Sequence, residues 1–369
     1  MRVLHITSGN LWGGVETLLT TLAAQRNLCL QMEPHFALCF DGKLATQLRA
    51  SGINPHLLGG VRIRYPWTVW RAQQRIKRLL KKEQFDFAIC HLIWPLFIFG
   101  EAIKSSGLPL LFWCHDPPKG QHWLERRVKK IRPDFVITNS RYTEAFLPRF
   151  YDGIRSETVY CPVPAIDLSC RDKVRQGVRE ELAVPENRIV IIQVSRLEKF
   201  KGQEILLSAL GKLQDLDNWT CWFVGGVQRP PEKKYFQQLK DQANKLGIAG
   251  RIQFLGHQED VFRLFIAADI YCQPNTAPEP FGISFVEALY AGLPVVTTEI
   301  GGAKEVVDRT CGDLIPPGDP EALSVALSRL IKDSTERRKL SVYGPKRAQA
   351  LCDPGRQLNK LHAVLSELV

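Results

Sequence analysis

The run Ile189-Val190-Ile191-Ile192-Gln193-Val194 leads into Ser195-Arg196-Leu197-Glu198-Lys199-Phe200-Lys201-Gly202, then into the amphipathic stretch Gln203–Gln214 and a second apolar run, Trp219–Val224. A short apolar run, a loop, a helical pattern and another apolar run read as strand, crossover helix and strand. The alternation continues in both directions. Downstream lie the strand candidates Ile252–Leu255, Ile270–Gln273 and Val295–Thr298, with Lys233–Leu246 as a further amphipathic stretch. Upstream lie Val3–Thr7, His35–Phe40, Phe87–Leu92, Pro109–Cys114 and Phe135–Thr138, with Thr17–Gln25 as a helix. Strands apolar on both faces and alternating with helices belong to parallel sheets covered on both sides. Five in each half predict an α/β chain of two Rossmann-like, doubly wound domains.

The 369 residues agree with that count, at ~100–200 residues per domain. Cys161-Pro162-Val163-Pro164 reads as an extended connector, because two prolines in three residues interrupt helix formation. The expected division is 1–162, 163–345 and a final segment 346–369, with the charged stretch Arg171–Glu181 leading into the second domain. In the final segment Leu351, Leu358, Leu361, Val364 and Leu365 recur at roughly helical spacing.

An apolar fraction of 45% with 24% charged residues excludes a disordered or fibrous chain. The longest apolar run, Leu92 to Phe99, is broken by Pro95, and a membrane span needs ~20 residues. Arg2–Thr7 is too short and polar for the core of a secretion signal, so a cytoplasmic chain is expected. The ten cysteines form no CxxC pair and no zinc-spaced cluster. Free buried thiols are expected.

The net charge of +11 is unevenly placed. Residues 1–162 carry 22 basic and 12 acidic side chains, and the remainder 27 and 26. The first half is therefore expected to face something anionic.

In doubly wound sheets ligands sit beyond the carboxyl ends of the strands, so the residues after each strand carry the information. After the first strand comes Gly9-Asn10-Leu11-Trp12-Gly13-Gly14-Val15-Glu16. Paired glycines at a helix start let backbone N–H groups approach an anion, though a tight turn also explains them. Arg196 and Lys201 could grip a diphosphate from two sides; a solvated basic loop is the alternative. Glu279-Pro280-Phe281-Gly282-Ile283-Ser284-Phe285-Val286-Glu287-Ala288-Leu289 places one glutamate in a loop and another in a first helical turn. The N–H groups near Ile283 and Ser284 suit a phosphate. Ser284-x-x-Glu287 also fits a capping box, which would explain Glu287 but not Glu279. Asp215-Leu216-Asp217 has a manganese-binding form, yet it precedes a strand and reads as a surface loop. Gly302 and Glu305 fit a tight turn as well as ligand contact.

From Val194 to Glu305 the chain resembles the nucleotide-sugar glycosyltransferases of GT-B fold, the "group one" or family-four set. The resemblance rests on Ser195-Arg196-Leu197 through Lys201-Gly202, Val224-Gly225-Gly226, Phe254-Leu255-Gly256, Glu279 through Glu287, Ala291-Gly292-Leu293-Pro294-Val295 and Gly301-Gly302-Ala303-Lys304-Glu305. In the first half only Gly13-Gly14-Val15-Glu16 and His115-Asp116 match. The resemblance implies two domains facing across a cleft that holds the donor, with the last helix crossing back to the first domain. It implies Arg196 and Lys201 on the donor diphosphate, Gly13 and Gly14 closing on it, and Gly225 in the donor loops. It implies Glu279 near the sugar, Glu287 on the ribose, Gly282, Ile283 and Ser284 facing sugar and phosphate, and Gly256 and His257 at the base. His115 would touch the transferred sugar, although a lone histidine is often structural. It further implies retention of anomeric configuration, a nucleoside diphosphate sugar as co-substrate, and no metal or other cofactor.

Two other readings remain open: a nucleotide-sugar epimerase on the same fold, and a basic nucleic-acid-binding protein. Against the second, no helix-turn-helix or RNA-recognition motif is visible, so no nucleic acid partner is expected. The helical stretch Trp67–Lys82 spaces Arg71, Arg75, Arg78 and Lys82 along one face. Trp67, Trp70 and Trp123 and the cluster Arg126-Arg127 with Lys129-Lys130 share its domain. This pattern predicts peripheral docking at an anionic membrane surface, the inner face for a cytoplasmic chain, and suits a lipid-linked acceptor. A solvated helix face is the plain alternative.

Overall fold

A computed structural model describes residues 1–10 and 12–368. Leu11, in the Gly9–Glu16 loop, and Val369, at the end of the final segment, lie outside the described residues. The chain divides into two compact units, Met1–Pro164 with Cys352–Val369, and Ala165–Leu351.

The first unit has a seven-stranded parallel sheet: β1 (Arg2–Thr7), β2 (Glu33–Leu38), β3 (His56–Leu57), β4 (Phe87–His91), β5 (Leu110–Cys114), β6 (Phe135–Thr138) and β7 (Ser156–Thr158). Their order is β3-β2-β1-β4-β5-β6-β7. The second unit has β8 (Ile189–Val194), β9 (Trp219–Val224), β10 (Ile252–Gly256), β11 (Ile270–Gln273), β12 (Val295–Thr298) and β13 (Gly312–Ile315), ordered β10-β9-β8-β11-β12-β13. Both orders are doubly wound, and each reverses direction once, beside β1 and beside β8.

Burial on both faces explains the all-apolar strands. In β5, Leu110, Phe112 and Cys114 enter one core while Leu111 and Trp113 enter the other. The two-residue β3, the polar β7 and the mixed β13 carry too little apolar signal to read as strands, so the sheets exceed the expected five strands each. The expected strand His35–Phe40 instead runs Glu33–Leu38. There Cys39 and Phe40 turn away, both N–H groups donating to Ser8 O.

The charged stretch before β8 forms the helix Arg171–Glu181. Arg175 and Arg179 grip Asp269, whose Oδ2 also accepts from Val190 N–H at 2.8 Å. This ties the helix to the entrances of β8 and β11. The final segment is broken by Asp353-Pro354 into the helices Ser334–Cys352 and Pro354–Ser366. Leu358, Leu361, Val364 and Leu365 pack with Val3, Leu18 and Trp113 in the first unit. All ten cysteines are free, nine of them buried. Burial pushes Cys39 and Cys161 up to about 12. No described helix is long and apolar enough to cross a membrane.

The helix Pro66–Lys82 buries Ala72 and Ile76 and exposes Trp67 and Trp70. Arg75 is exposed as well, and its guanidinium also donates to Leu58 O at 3.0 Å. Arg71, Arg78 and Lys82 are exposed, with no ion pair among the described residues.

Candidate active site

The switch point of the second unit lies between β8 and β11. Ile191 stands opposite Ile270, so the two strands end level at Val194 and Gln273. The loop after β8 forms one 3-10 turn, Lys199–Lys201, stopped by Gly202 at φ +75°. An added Cβ at Gly202 would lie 1.8 Å from Pro274 O. Only glycine permits both that backbone sign and that approach. The loops after β8 and β11 are thereby pressed together, and Thr276 N–H donates to Phe200 O at 2.8 Å.

This crossing brings Lys201 Nζ onto Glu279 Oε2. Both side chains are largely buried, at 11% and 14% exposure. Gln273 and Asn275 also reach Glu279 Oε2, at 3.4 and 3.5 Å. Gln193 donates to Lys201 O at 2.8 Å, and Gln203 donates to Arg196 O at 2.9 Å. Lys201 is therefore not the exposed half of a cationic pair. Its charge is matched by Glu279, two site residues that the sequence left separate. Arg196 is 41% exposed and pairs with Glu198 at 3.1 Å.

Gly282 at φ +95° is the N-cap of the helix Ile283–Tyr290, and no side chain caps it. The capping box is thus absent. Ser284 sits inside the helix and accepts from the Tyr271 hydroxyl at 2.9 Å. Glu287 falls in the second turn rather than the first. Its carboxyl has no hydrogen-bond partner among the described residues, and burial pushes it up to about 7. The Tyr271 hydroxyl is raised well above its ordinary value, first by burial and further by the charges of Glu279 and Glu287.

Gly301 and Gly302 are explained by packing. Side chains there would strike Glu279 O at 2.4 Å and Pro280 O at 2.2 Å, so they seat the Glu279 loop. Gly225 is similar, its Cβ position lying 2.0 Å from Ser195 O. Gly256 has open space but φ +66°, and His257 beside it is exposed. The structure thus gathers Lys201, Glu279, Gly282 and Ser284 in one network, with Arg196 and Gly225 alongside. Sequence reasoning missed Gln193, Gln203, Tyr271, Gln273 and Asn275. The available signal was a glutamine near the end of two otherwise apolar strands.

In the first unit Gly13 is the N-cap of the helix Gly14–Ala24, at an extended φ of −171°. Among the described residues an added Cβ would meet nothing closer than Glu16 Oε2 at 3.7 Å. The fold itself does not demand glycine there, which weakens the tight-turn reading. His115 follows β5 with 6% exposure. Its carbonyl accepts from Asn139 Nδ2 at 2.9 Å, and its Nε2 lies 3.0 Å from His91 Nδ1.

Comparison with known proteins gives two family matches: "Glycosyltransferase Family 4" over residues 12–165 and "Glycosyl transferases group 1" over residues 174–347. A D-inositol 3-phosphate glycosyltransferase of Corynebacterium urealyticum is 28% identical over 249 residues, 63% of this chain and 57% of that protein. A phosphatidyl-myo-inositol mannosyltransferase of Mycobacterium leprae is 36% identical over 151 residues, 40% of this chain and 38% of that protein. The chain thus spans about half the length of these curated relatives. The crystal structure of Anabaena HepE in complex with UDP and glucose superposes with a TM-score of 0.85 at 25% identity, covering 99% of both chains.

Two outcomes test the site without any substrate. Lys201→Met leaves a buried carboxylate unpaired and is expected to cost about 2–4 kcal/mol in urea unfolding. Lys201→Met with Glu279→Gln should recover part of that loss, and Arg196→Ala, at an exposed pair, should stay within about 1 kcal/mol. Equal losses for Lys201 and Arg196 would contradict the buried pair. Glu287, raised in the folded state, contributes stability below its ordinary value that is lost as pH rises through about 7. Glu287→Gln should therefore gain about 2 kcal/mol over wild type between pH 5 and pH 8. A pH-independent difference in melting temperature would show that the carboxyl is not held in a desolvated site.

Proposed function

The chain belongs to the group 1 glycosyl transferases, and we propose that it moves a sugar from a nucleoside diphosphate sugar to an acceptor hydroxyl with retention at the anomeric carbon. The observation that carries this reading is the Lys201–Glu279 pair at the switch point, with Arg196 at the same strand end. The activities of these relatives and the UDP and glucose held by Anabaena HepE support the substrate class.

In the proposed reaction the bond between the anomeric carbon and the diphosphate oxygen breaks, and the acceptor oxygen takes its place on the same face. The acceptor proton passes to the leaving phosphate oxygen. The transition state resembles an oxocarbenium ion, and negative charge grows on the diphosphate. Arg196, Lys201 and the N–H groups of Ile283 and Ser284 stabilise that charge. These protein cations supply the neutralisation, so the reaction is proposed to be metal-independent. Glu279, freed from part of its pairing with Lys201 when the diphosphate arrives, positions the sugar. Glu287 accepts hydrogen bonds from the ribose hydroxyls, and its carboxyl's lack of a partner among the described residues supports this role. Gly225, Gly256 and His257 are assigned to the donor's nucleotide end. In the first unit Gly13 and Gly14 are assigned to the diphosphate and His115 to the transferred sugar.

We infer further that the first unit docks on an anionic membrane surface that carries the acceptor. Exposed Trp67, Trp70 and Trp123 accompany Arg71, Arg78 and Lys82 in the unit that holds nearly all the excess charge. Interfacial aromatics beside cations suit acidic lipid.

The donor class is tested by thermal shift against a nucleotide-sugar panel, followed by product analysis. A donor that raises the melting temperature should give a glycosylated acceptor of unchanged anomeric configuration, with chelator present. A sugar epimerised while still on its nucleotide would favour the isomerase reading. Glu279→Gln should lower turnover far more than nucleotide affinity, whereas Arg196→Ala should weaken nucleoside diphosphate binding about tenfold or more. Unchanged affinity in Arg196→Ala removes the clamp. For docking, co-sedimentation with anionic vesicles at low salt is expected, with loss at high salt and in the triple change of Arg71, Arg78 and Lys82 to Ser. Equal binding to neutral vesicles would refute it.

A further inference from the structure

Three histidines run across the switch point of the first sheet. The register sets His5 of β1 opposite Ile89 and His91 of β4 opposite Trp113. Each histidine thus stands one same-face step beyond the previous one, from His5 to His91 to His115 at the strand ends. His5 Nδ1 lies 2.9 Å from His91 Nε2, and His91 Nδ1 lies 3.0 Å from His115 Nε2. His5 and His91 are fully buried, and His115 alone keeps some exposure. The His91 and His115 rings stack on Trp113, and the His5 ring on Phe36. The far nitrogen, His5 Nε2, is buried with no partner. His115 Nδ1 has no partner among the described residues and is not sealed from solvent.

Burial holds all three rings neutral. It lowers His5 and His115 to about 3, with the charge of His35 adding at His5, and it drives His91 well below the ordinary value. A neutral imidazole has one N–H and one lone pair. Two hydrogen bonds among three such rings allow only two arrays. If the rings donate toward β1, the chain ends on a buried His5 Nε2–H with no acceptor. If they donate outward, it ends on a bare His5 lone pair. The orphaned N–H is the rarer and costlier end. The bond made by one ring nitrogen sets the state of the other.

We propose that His5 and His91 are positioning residues that lock His115 as the Nδ1–H tautomer, so that it meets an oxygen of the nucleotide sugar as a hydrogen-bond donor and not as a base. The proposal rests on the assignment of His115 to the transferred sugar. The donor's hydroxyl or phosphoryl oxygens are the matching acceptors.

The direct test needs neither substrate nor variant. Full-length protein labelled with 15N-histidine is examined by multiple-bond 1H–15N correlation at neutral pH. All three rings should show a protonated Nδ1 and a bare Nε2. A protonated His115 Nε2, or an averaged pair of nitrogens, overturns the proposal. His5→Phe keeps ring volume but removes the N–H, and should abolish the fixed His115 tautomer and lower transfer kcat about tenfold, leaving the KM for the donor little changed. His5→Asn retains an N–H near Nδ1 and should restore both the spectrum and most of the rate. Equal rates for the two variants overturn the relay. Because the spectra are read without substrate, an inactive wild type with the expected tautomers would overturn the glycosyltransferase reading instead.

Discussion

A largely buried lysine held against a largely buried glutamate is the constraint on which the second unit depends. Removing two charges from water is costly, and mutual attraction offsets that cost only with good geometry and further hydrogen bonds. The surroundings meet both conditions. Gln273 and Asn275 reach the carboxylate, and Gln193 and Gln203 hold the backbone on either side of the lysine turn. Gly202, Gly301 and Gly302 let the three loops approach closely enough for the pair to form. A pair of this kind gives specificity of arrangement more than stability. In the proposed reaction it also stores a cation beside the place where diphosphate charge develops, so little reorganisation is needed.

The first unit solves a similar problem without charge. Its buried polar groups at the switch point are neutral rings, and the cost of burying them is met by hydrogen bonds between the rings and by stacking. His5 sits inside β1 between Leu4 and Ile6, and His91 ends β4 after Cys90, and these three apolar neighbours enter one core. The two switch points therefore present different chemistry: a matched ion pair in one unit and an array of dipoles in the other.

Sheet architecture and most site residues were legible because their physical causes are local. An apolar run of four to six residues means burial on both faces, and β8, β9, β11 and β12 begin and end where those runs do. The strands that escaped reading, β3, β7 and β13, are edge or near-edge strands with little apolar content. Loop composition after β8 and β11 pointed to Arg196, Lys201 and Glu279. Helix starts were less legible, because Gly282 caps through backbone geometry rather than through a side chain, and a serine two residues later mimicked a capping signal.

What the sequence alone determined is what periodicity and composition can carry: two parallel α/β sheets, loops rich in glycine and charge at the strand ends, and an excess of positive charge in the first half. What only the tertiary structure decided is pairing across sequence distance. Lys201 and Glu279 are 78 positions apart, and His5 and His91 are 86 apart. Nothing local tells a solvated lysine from one paired away from water, or a structural histidine from one whose tautomer is set by two others. Those states follow from desolvation and from which dipoles lie within about 3 Å, and both quantities exist only after the strands have been laid side by side.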